Sequence, residues 1–139
     1  MTDTSGFLID SNVLLDVITA DPVWQLWSSR ALASALRSGA VFINPIIYAE
    51  VSMGYDRIEE LDARLPLAVI RRAPLPFAAG FLAAKAHQSY RRRGGVRTAA
   101  LPDFFIGAHA AIDGLALVTR DARRYRTAFP RLKIVAPDA

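Results

Sequence analysis

Four acidic residues that lie far apart in the chain, Asp10, Glu50, Asp103 and Asp121, each stand where an apolar stretch meets a polar or helix-starting one. If the fold gathers these carboxylates in one pocket, their charges repel, and they can stay ionised near neutral pH only with cations between them. Oxygen ligands suit Mg²⁺ or Mn²⁺ better than zinc, and the composition agrees because the chain has no cysteine and only 2 histidines. The residue types therefore predict a pocket for a hard divalent metal ion.

Taken singly, three of these acids also fit a purely structural role. Asp10 and Asp121 follow predicted strands, where aspartate is a favoured helix cap that stabilises a helix start by roughly 0.5 to 2 kcal/mol. Asp103 follows Pro102 in a first helical turn, where the helix dipole favours negative charge. Glu50 lies inside a predicted helix and has no basic residue three or four positions away. It either marks a narrow solvent-facing stripe or serves the predicted site, and we favour the site.

The elements that must position these acids alternate between strands and helices. Short apolar runs predict strands at residues 7–9, 40–44, 67–70, 115–119 and 132–135. Apolar residues at helical spacing predict a helix after Ser11, then helices at 24–37, from 45 to about 55, at 58–65, from 76 into an exposed arginine-rich loop at 91–95, at 101–112, and a short one from 121.

Alternating strands and helices predict an α/β fold: three α/β/α layers with a mostly parallel central sheet. In open parallel sheets, ligands bind at the carboxyl ends of the strands. Asp10 directly follows the first predicted strand, and Asp121 nearly follows the fourth. Both acids are therefore expected at the ligand-binding edge of the sheet.

Length and composition are those of an ordinary globular domain. We expect residues 1–139 to form one domain, large enough to bury a core without disulfides. The start of the chain lacks the apolar region of a signal peptide, and no run approaches the roughly 18 apolar residues of a membrane helix. We therefore expect a soluble cytoplasmic protein that contacts no membrane. The mean hydropathy of +0.23 is high; it favours an oligomer, although a large core would also explain it.

Four sequence motifs, in this order along the chain, carry a resemblance to a known family. They are Ile9-Asp10-Ser11-Asn12-Val13-Leu14-Leu15-Asp16, Ala49-Glu50-Val51, Leu101-Pro102-Asp103-Phe104-Phe105-Ile106-Gly107-Ala108-His109-Ala110, and Thr119-Arg120-Asp121. With these motifs the chain resembles the PIN-domain family, and within it the VapC-type toxins of bacterial toxin-antitoxin pairs. The likeness covers essentially the whole chain.

The resemblance implies a PIN-like domain that is a metal-dependent endoribonuclease, hydrolysing RNA phosphodiester bonds with Mg²⁺ or Mn²⁺. It implies that Asp10, Glu50, Asp103 and Asp121 are catalytic and bind the metal, supported by Asn12 and Thr119. It also implies a homodimer and a cognate small antitoxin protein as inhibitor. We expect Asp10 and Asp103 to bind the metal directly, with Glu50 and Asp121 acting through metal-bound water or as a base.

Basic residues supply an expected surface for the RNA backbone. The net charge is +4, and arginine makes bidentate contacts with phosphate. The arginines nearest the acidic residues are Arg97, Arg120 and Arg123, which we predict to bind RNA. The alternative is that the arginine excess is an ordinary solvated surface.

Other functions fit the motifs less well. A non-catalytic RNA-binding or interaction module would keep the fold and the basic surface but bind no metal. A phosphatase of the haloacid dehalogenase type needs aspartate at the position that Asn12 occupies. His87 and His109 lie among alanines and are interpreted as packed residues. Trp24 and Trp27 are interpreted as core or dimer contacts.

Overall fold

The computed structural model describes residues 6–95 and 100–137. Across these residues, five short strands form one sheet: β1 (Phe7–Ile9), β2 (Val41–Ile43), β3 (Ile70–Arg72), β4 (Ala116–Val118) and β5 (Ile134–Val135). The helices of the same residues are α1 (Ser11–Ile18), α2 (Gln25–Ser38), α3 (Pro45–Ser52), α4 (Ile58–Arg64), α5 (Phe77–Arg92), α6 (Ala100–Asp113) and α7 (Arg123–Ala128). No helix in this part of the chain is long and apolar enough to cross a membrane.

The sheet has the strand order β3-β2-β1-β4-β5, and all its strand pairs are parallel. Helices flank it, which confirms the predicted α/β class and makes the sheet wholly rather than mostly parallel. The chain runs outward from β1 in one direction through β2 and β3, and in the other through β4 and β5. The crevice between β1 and β4 is therefore the topological switch point, where open α/β sheets bind ligands.

Burial of the central strands explains why their sequences are almost continuously apolar. Leu8 and Ile9 of β1 and Leu117 and Val118 of β4 are fully buried, as expected for strands covered on both faces. A second apolar cluster packs α5 against α6 and contains Ala83, Phe104, Ala108 and Phe129. The buried residues of the central strands and the cluster between α5 and α6 together fix the positions of the residues that follow β1 and β4 and of those on α6.

Local signals explain several element boundaries. Pro45 begins α3, and the Asn44 side chain caps it by accepting from the backbone N–H of Ile47 at 2.9 Å. Gly114 has φ of 67° directly after α6, a left-handed conformation that glycine adopts readily. Proline and glycine therefore mark these ends as the sequence predicts.

Five predicted boundaries are wrong. Helix α3 ends at Ser52 rather than at about residue 55, and β5 begins at Ile134 rather than at residue 132. Pro66 and the residues after it form a hydrogen-bonded turn, in which the N–H of Ile70 donates to the Pro66 carbonyl at 2.8 Å, so the third strand begins at Ile70 rather than at residue 67. Residues 91 and 92 belong to α5 and not to a loop, because arginine is a good helix former and suits the last turn. The short helix begins at Arg123, two residues after Asp121.

Candidate functional site

Strand register brings the first and last motifs side by side. Ile9 pairs with Val118 across β1 and β4, and the N–H of Asp10 donates to the Val118 carbonyl at 2.9 Å. Asp10 and Thr119 are the next residues of these two strands. The Thr119 hydroxyl donates to Oδ2 of Asp10 at 2.9 Å, across 109 positions of sequence.

Asp10 is almost fully buried and accepts several hydrogen bonds. Its Oδ1 accepts from the backbone N–H of Ser11 at 2.8 Å, which caps α1. Its Oδ2 accepts from the Tyr125 hydroxyl at 2.9 Å and from the Asn12 amide at 3.5 Å, besides Thr119. Asn12 also donates to Thr119 at 3.2 Å. Asn12 and Thr119 thus both contact Asp10, and their supporting role in catalysis remains a prediction.

The environment of Asp10 disfavours its ionised form. Burial, followed by the charge of Asp103, raises the pKa of the Asp10 carboxyl to about 6, although its hydrogen bonds lower the pKa. A carboxylate kept in such a place costs free energy unless a cation compensates it. Asp10 therefore caps α1 at a position that disfavours its charge.

Glu50 has a long-range partner and is not solely a solvent-facing residue. Its Oε1 accepts from the Ser11 hydroxyl at 2.7 Å, which ties α3 to the start of α1. Burial and the charge of Asp103 raise the pKa of Glu50, against the hydrogen bond from Ser11 that lowers it. Ser11 therefore links two of the acids, since its N–H binds Asp10 and its hydroxyl binds Glu50.

Asp103 interacts electrostatically with each of the other three acids. It lies in the first turn of α6, and its charge raises the pKa of both Asp10 and Glu50. Burial and the charge of Asp121 raise the pKa of Asp103, while its ion pair with Arg124 lowers it. Nη1 of Arg124 donates to Oδ2 of Asp103. The fold thus brings all four predicted acids into electrostatic contact.

Two residues of α7 hold the neighbouring acids from one side. The Tyr125 hydroxyl is buried, 2.9 Å from Oδ2 of Asp10 and 3.5 Å from Oδ1 of Asp103. Burial, followed by the charges of Asp10 and Asp103, raises the pKa of Tyr125 well above its ordinary value. Tyr125 is therefore a neutral donor to both carboxylates, and Arg124 is the cation on Asp103.

Asp121 stands at the exposed rim of the site. Its N–H donates to the Thr119 hydroxyl oxygen at 3.2 Å, so its backbone is attached to the same network as Asp10. Asp121 and Asp103 line a cavity of about 640 Å³ together with Arg93, Arg123 and Arg124. Negative and positive side chains therefore face the same space, as a site for a phosphodiester and its counter-cation would require.

The three predicted RNA-binding arginines fall into different places. Arg97 lies outside the described residues. Arg120 is held by the protein itself: its Nε donates to Asp16 at 2.8 Å, and its guanidinium lies 5.5 Å from the ring centroid of Trp24. Arg123 is exposed and lines the cavity that Asp103 and Asp121 share, and its contact with RNA stays a prediction.

His109 is engaged elsewhere and is not a metal ligand in this arrangement. It is fully buried on α6, with Nδ1 2.9 Å from the Asn44 amide and Nε2 3.0 Å from a carboxylate oxygen of Asp113. The Asn44 amide donates to Nδ1, so Nε2 carries the proton and donates to Asp113. Burial lowers the pKa of His109, against the charge of Asp113.

The carboxylate oxygens of the site are the right type of ligand for a hard divalent ion. Their spacing is less suitable. Asp10, Glu50 and Asp103 offer oxygen atoms whose raised pKa values would be relieved by a cation. Among the described residues, however, no three acidic or histidine side chains stand close enough together to form a ready-made metal-binding group. A metal ion on Asp103 would stand beside the guanidinium of Arg124, which donates to Oδ2 of Asp103.

The sequence interpretation missed three residues of this site: Ser11, Arg124 and Tyr125. Ser11 stood inside a quoted motif, but a hydroxyl beside Asp10 gave no sign that it would reach Glu50. Arg124 and Tyr125 lie three and four positions after Asp121, in an arginine-rich segment that predicts an exposed helix. The one available signal was an aromatic residue within that basic segment.

Comparisons with known proteins support this fold. Residues 7–130 match the family described as PIN domain. Similar solved structures include VapBC2 from Rickettsia felis bound to a DNA fragment from the promoter, at 17% identity and a TM-score of 0.71, covering 94% of this chain and 97% of that chain.

FitAcB from Neisseria gonorrhoeae is 21% identical with a TM-score of 0.69, covering 92% of this chain and 95% of that chain. VapBC-1 from nontypeable Haemophilus influenzae is 15% identical with a TM-score of 0.70, covering 94% and 96%. A search of curated proteins found no match. At these identities the likeness to solved structures concerns the fold.

Proposed function

The chain belongs to the PIN-domain family, and on this premise we propose that it is a metal-dependent endoribonuclease that acts as the toxin of a toxin-antitoxin pair. The observation that carries the proposal is the electrostatic contact of four carboxylates at the switch point of the sheet, with Asp103 at its centre. Such a cluster has no evident structural purpose, because the ionised forms of Asp10, Glu50 and Asp103 are disfavoured there.

Each acid would have a distinct task in hydrolysis. Asp10, fixed by Thr119 and Tyr125, and Asp103 would hold a Mg²⁺ or Mn²⁺ ion directly. Glu50, fixed by Ser11, and the exposed Asp121 would hold water at the site or accept a proton from it. When bound, the metal would lower the pKa of water and neutralise charge on the scissile phosphate.

RNA would approach from the cavity that Asp103 and Asp121 share with arginines. Arg123 on the wall of this cavity would contact the phosphate backbone, and such contacts weaken as salt concentration rises. We predicted Arg97 and Arg120 for the same role; Arg120 would first have to leave Asp16, so Arg123 is the stronger candidate.

The toxin role rests on the family and on the nature of the similar solved structures, which include VapBC and FitAB assemblies and a toxin-antitoxin complex. By this analogy we propose a cognate antitoxin partner, a homodimer and a cytoplasmic location, where RNA is available. Co-expression with a short reading frame beside the gene, followed by gel filtration, tests the partner and the dimer together.

The direct test of the enzyme is a cleavage assay on total RNA with Mn²⁺, with and without EDTA. We expect cleavage that EDTA abolishes, leaving 5′-phosphate and 3′-hydroxyl ends, because hydrolysis would add water to the phosphorus and break the O3′–P bond, with the O3′ leaving as a hydroxyl. Ends carrying a 2′,3′-cyclic phosphate would contradict the metal mechanism.

A second candidate function is a non-catalytic RNA-binding or interaction module. It is favoured by one observation: among the described residues, the acids do not form a ready-made metal group. Titrating Mn²⁺ while following thermal unfolding separates the two, because a ligand of the native state raises its stability by mass action. RNA binding without any Mn²⁺-dependent stabilisation would support this module.

A further inference from the structure

Arg124 forms an ion pair with Asp103, whose carboxylate the proposed metal site needs. Its Nη1 donates to Oδ2 of Asp103, and both side chains are 30% exposed. Asp103 is also the acid whose charge raises the pKa of Asp10 and Glu50. In the absence of metal, Arg124 is thus the cation that neutralises the central member of the acidic cluster.

Arg124 and a metal ion would compete for the same carboxylate. A divalent cation placed on Asp103 would repel the guanidinium that donates to Oδ2 of Asp103, because like charges a few ångströms apart interact strongly in a half-buried site. Metal binding would therefore weaken the contact between Arg124 and Asp103 and favour its release. The metal would therefore have to offset the free energy by which the ion pair of Arg124 stabilises the metal-free protein.

Arg124 already borders the cavity in its contact with Asp103. Arg124 lines the cavity of about 640 Å³ and faces it together with Arg93, Arg123 and Thr127. Its guanidinium carbon lies 5.7 Å from the ring centroid of Tyr90, whose own ring packs edge-on against Phe104 at 5.6 Å.

Tyr90 lines the same cavity, so the guanidinium would turn from Asp103 toward the cavity while it stays beside this ring. A planar guanidinium in such a place binds phosphate oxygens in bidentate fashion.

We propose that Arg124 is a substrate-binding residue with two partners: it pairs with Asp103 when no metal is bound, and with a phosphate of the RNA backbone when metal holds Asp103. This inference rests on the proposed function and goes beyond it, because it assigns one arginine of the cavity and couples its availability to the metal. Metal and RNA would then strengthen each other's binding by the same factor, since coupling between two ligands is reciprocal.

A second arginine in the chain provides a matched control. Arg72 donates to Asp62 at 3.3 Å, its guanidinium lies 5.6 Å from the ring centroid of Tyr48, and its side chain is also 30% exposed. This pair is not part of the acidic cluster. Arg72→Gln therefore removes a charge and an ion pair of the same kind without touching the site.

The test compares Arg124→Gln and Arg72→Gln with the wild type in two measurements. Calorimetric titration of Mn²⁺ into metal-free protein, without RNA, should show binding about threefold to tenfold tighter for Arg124→Gln, because the competing cation is gone. Binding of a fluorescent mixed-sequence single-stranded RNA to Mn²⁺-loaded protein, at a temperature and time that prevent turnover, should be about tenfold weaker for Arg124→Gln. Arg72→Gln should match the wild type in both.

RNA binding in EDTA distinguishes an exchanging arginine from one that always binds RNA. With Arg124 held on Asp103, the wild type and Arg124→Gln should bind RNA with affinities equal within about twofold. Arg124→Lys keeps the charge but loses the bidentate geometry, so it should restore Mn²⁺ affinity toward the wild-type value and leave RNA binding weak.

Two results would overturn the assignment: unchanged or weaker Mn²⁺ binding by Arg124→Gln, or an equal loss of RNA affinity with and without metal. A failure of the proposed function has a different signature, namely a wild-type protein that binds no Mn²⁺ or cleaves no RNA. Thermal unfolding of metal-free Arg124→Gln checks that the variant is folded, and Arg124→Lys keeps the inference testable if it is not.

Discussion

Two regions of the molecule contain the same three side chains, a carboxylate with an arginine and a tyrosine. At Asp62, the Tyr48 hydroxyl donates at 2.6 Å and Arg72 at 3.3 Å. At Asp103, Arg124 donates to one oxygen and the Tyr125 hydroxyl lies 3.5 Å from the other. The local chemistry of the two trios is therefore nearly identical.

Their surroundings differ. The Asp62 side chain is 49% exposed, whereas that of Asp103 is 30% exposed and lies within electrostatic reach of three further acids. Water screens the first trio, so its ion pair contributes only about 0 to 1 kcal/mol to stability. At Asp103 the ion-paired Arg124 stands beside a cluster of four carboxylates. The gathering of acids, and not the trio itself, thus distinguishes the candidate site.

The largest difference in activity between the two trios is expected when Asp103 or Asp62 is replaced by asparagine. Asp103→Asn should lower RNA cleavage by more than about 100-fold. Loss of a residue that only hydrogen-bonds to a metal ligand costs about 10- to 100-fold in metal affinity or activity, and loss of the ligand itself should cost more. Asp62→Asn should leave cleavage within about twofold. A cleavage assay at saturating Mn²⁺ measures both, and equal activity of the two variants would remove the distinction between the trios.

Asp10→Asn should behave like Asp103→Asn in activity and differently from a core substitution in stability. In the folded wild type, the pKa of Asp10 is raised to about 6. At pH 8 the ionised Asp10 carboxylate therefore lowers the stability of the folded state. Replacing it should leave the free energy of unfolding unchanged within about 1 kcal/mol, or raise it. Denaturant unfolding at pH 8 checks this, and a loss of several kcal/mol would identify Asp10 as a structural residue.

The tyrosines provide the next comparison. Tyr125→Phe removes a buried donor shared by Asp10 and Asp103, so Mn²⁺ affinity should fall about 10-fold or more, as for other residues that orient metal ligands. Tyr48→Phe removes a hydroxyl from Asp62 and should leave Mn²⁺ affinity as it is. Calorimetric titration of Mn²⁺ separates the two. Unchanged affinity in Tyr125→Phe would confine Tyr125 to packing.

Ser11→Ala should have a smaller effect, directed at Glu50. It removes the hydroxyl that donates to Glu50 at 2.7 Å and leaves the backbone N–H on Asp10. We expect kcat to fall about threefold to tenfold with little change in Mn²⁺ affinity, because Glu50 is assigned to water rather than to the metal. A loss of Mn²⁺ affinity as large as that of Tyr125→Phe would instead make Glu50 a direct ligand.

The smallest expected effect is a pH dependence of stability at His109. Burial lowers its pKa in the folded state, so below the unfolded pKa of about 6.5 the unfolded chain takes up the proton first. The advantage that neutral His109 gives to the folded protein is complete above that pH and declines below it. Compared with His109→Gln, the wild type should be more stable at pH 7.5, and the difference should shrink by pH 5.5. A difference that does not depend on pH would contradict a neutral buried imidazole.

Much of the fold was predictable because it rests on local patterns. The buried runs of β1 and β4, the proline at the start of α3 and the glycine after α6 all have signals within a few residues. The boundary at Ile70 was not predictable in this way, because a turn from Pro66 competes with an apolar run. PIN-family membership was predictable from motif order, since the motifs are read residue by residue.

The site was predictable in its acids and not in their partners. Asp10, Glu50, Asp103 and Asp121 stand out by residue type against apolar flanks. Tyr125 reaches Asp10 across 115 positions of sequence, and no local pattern encodes that contact. The same holds for the hydroxyl of Ser11 on Glu50, 39 positions away. Such contacts depend on strand order, which places the end of β1 between the ends of β2 and β4.

The most direct test of the central claim is calorimetric titration of Mn²⁺ into three metal-free proteins: the wild type, Asp103→Asn and Asp62→Asn. If the acids around Asp103 form the metal site, the wild type and Asp62→Asn will bind Mn²⁺ with the same affinity, and Asp103→Asn will lose at least about tenfold. Equal binding by all three proteins, or no binding by any of them, would contradict a metal site at Asp103.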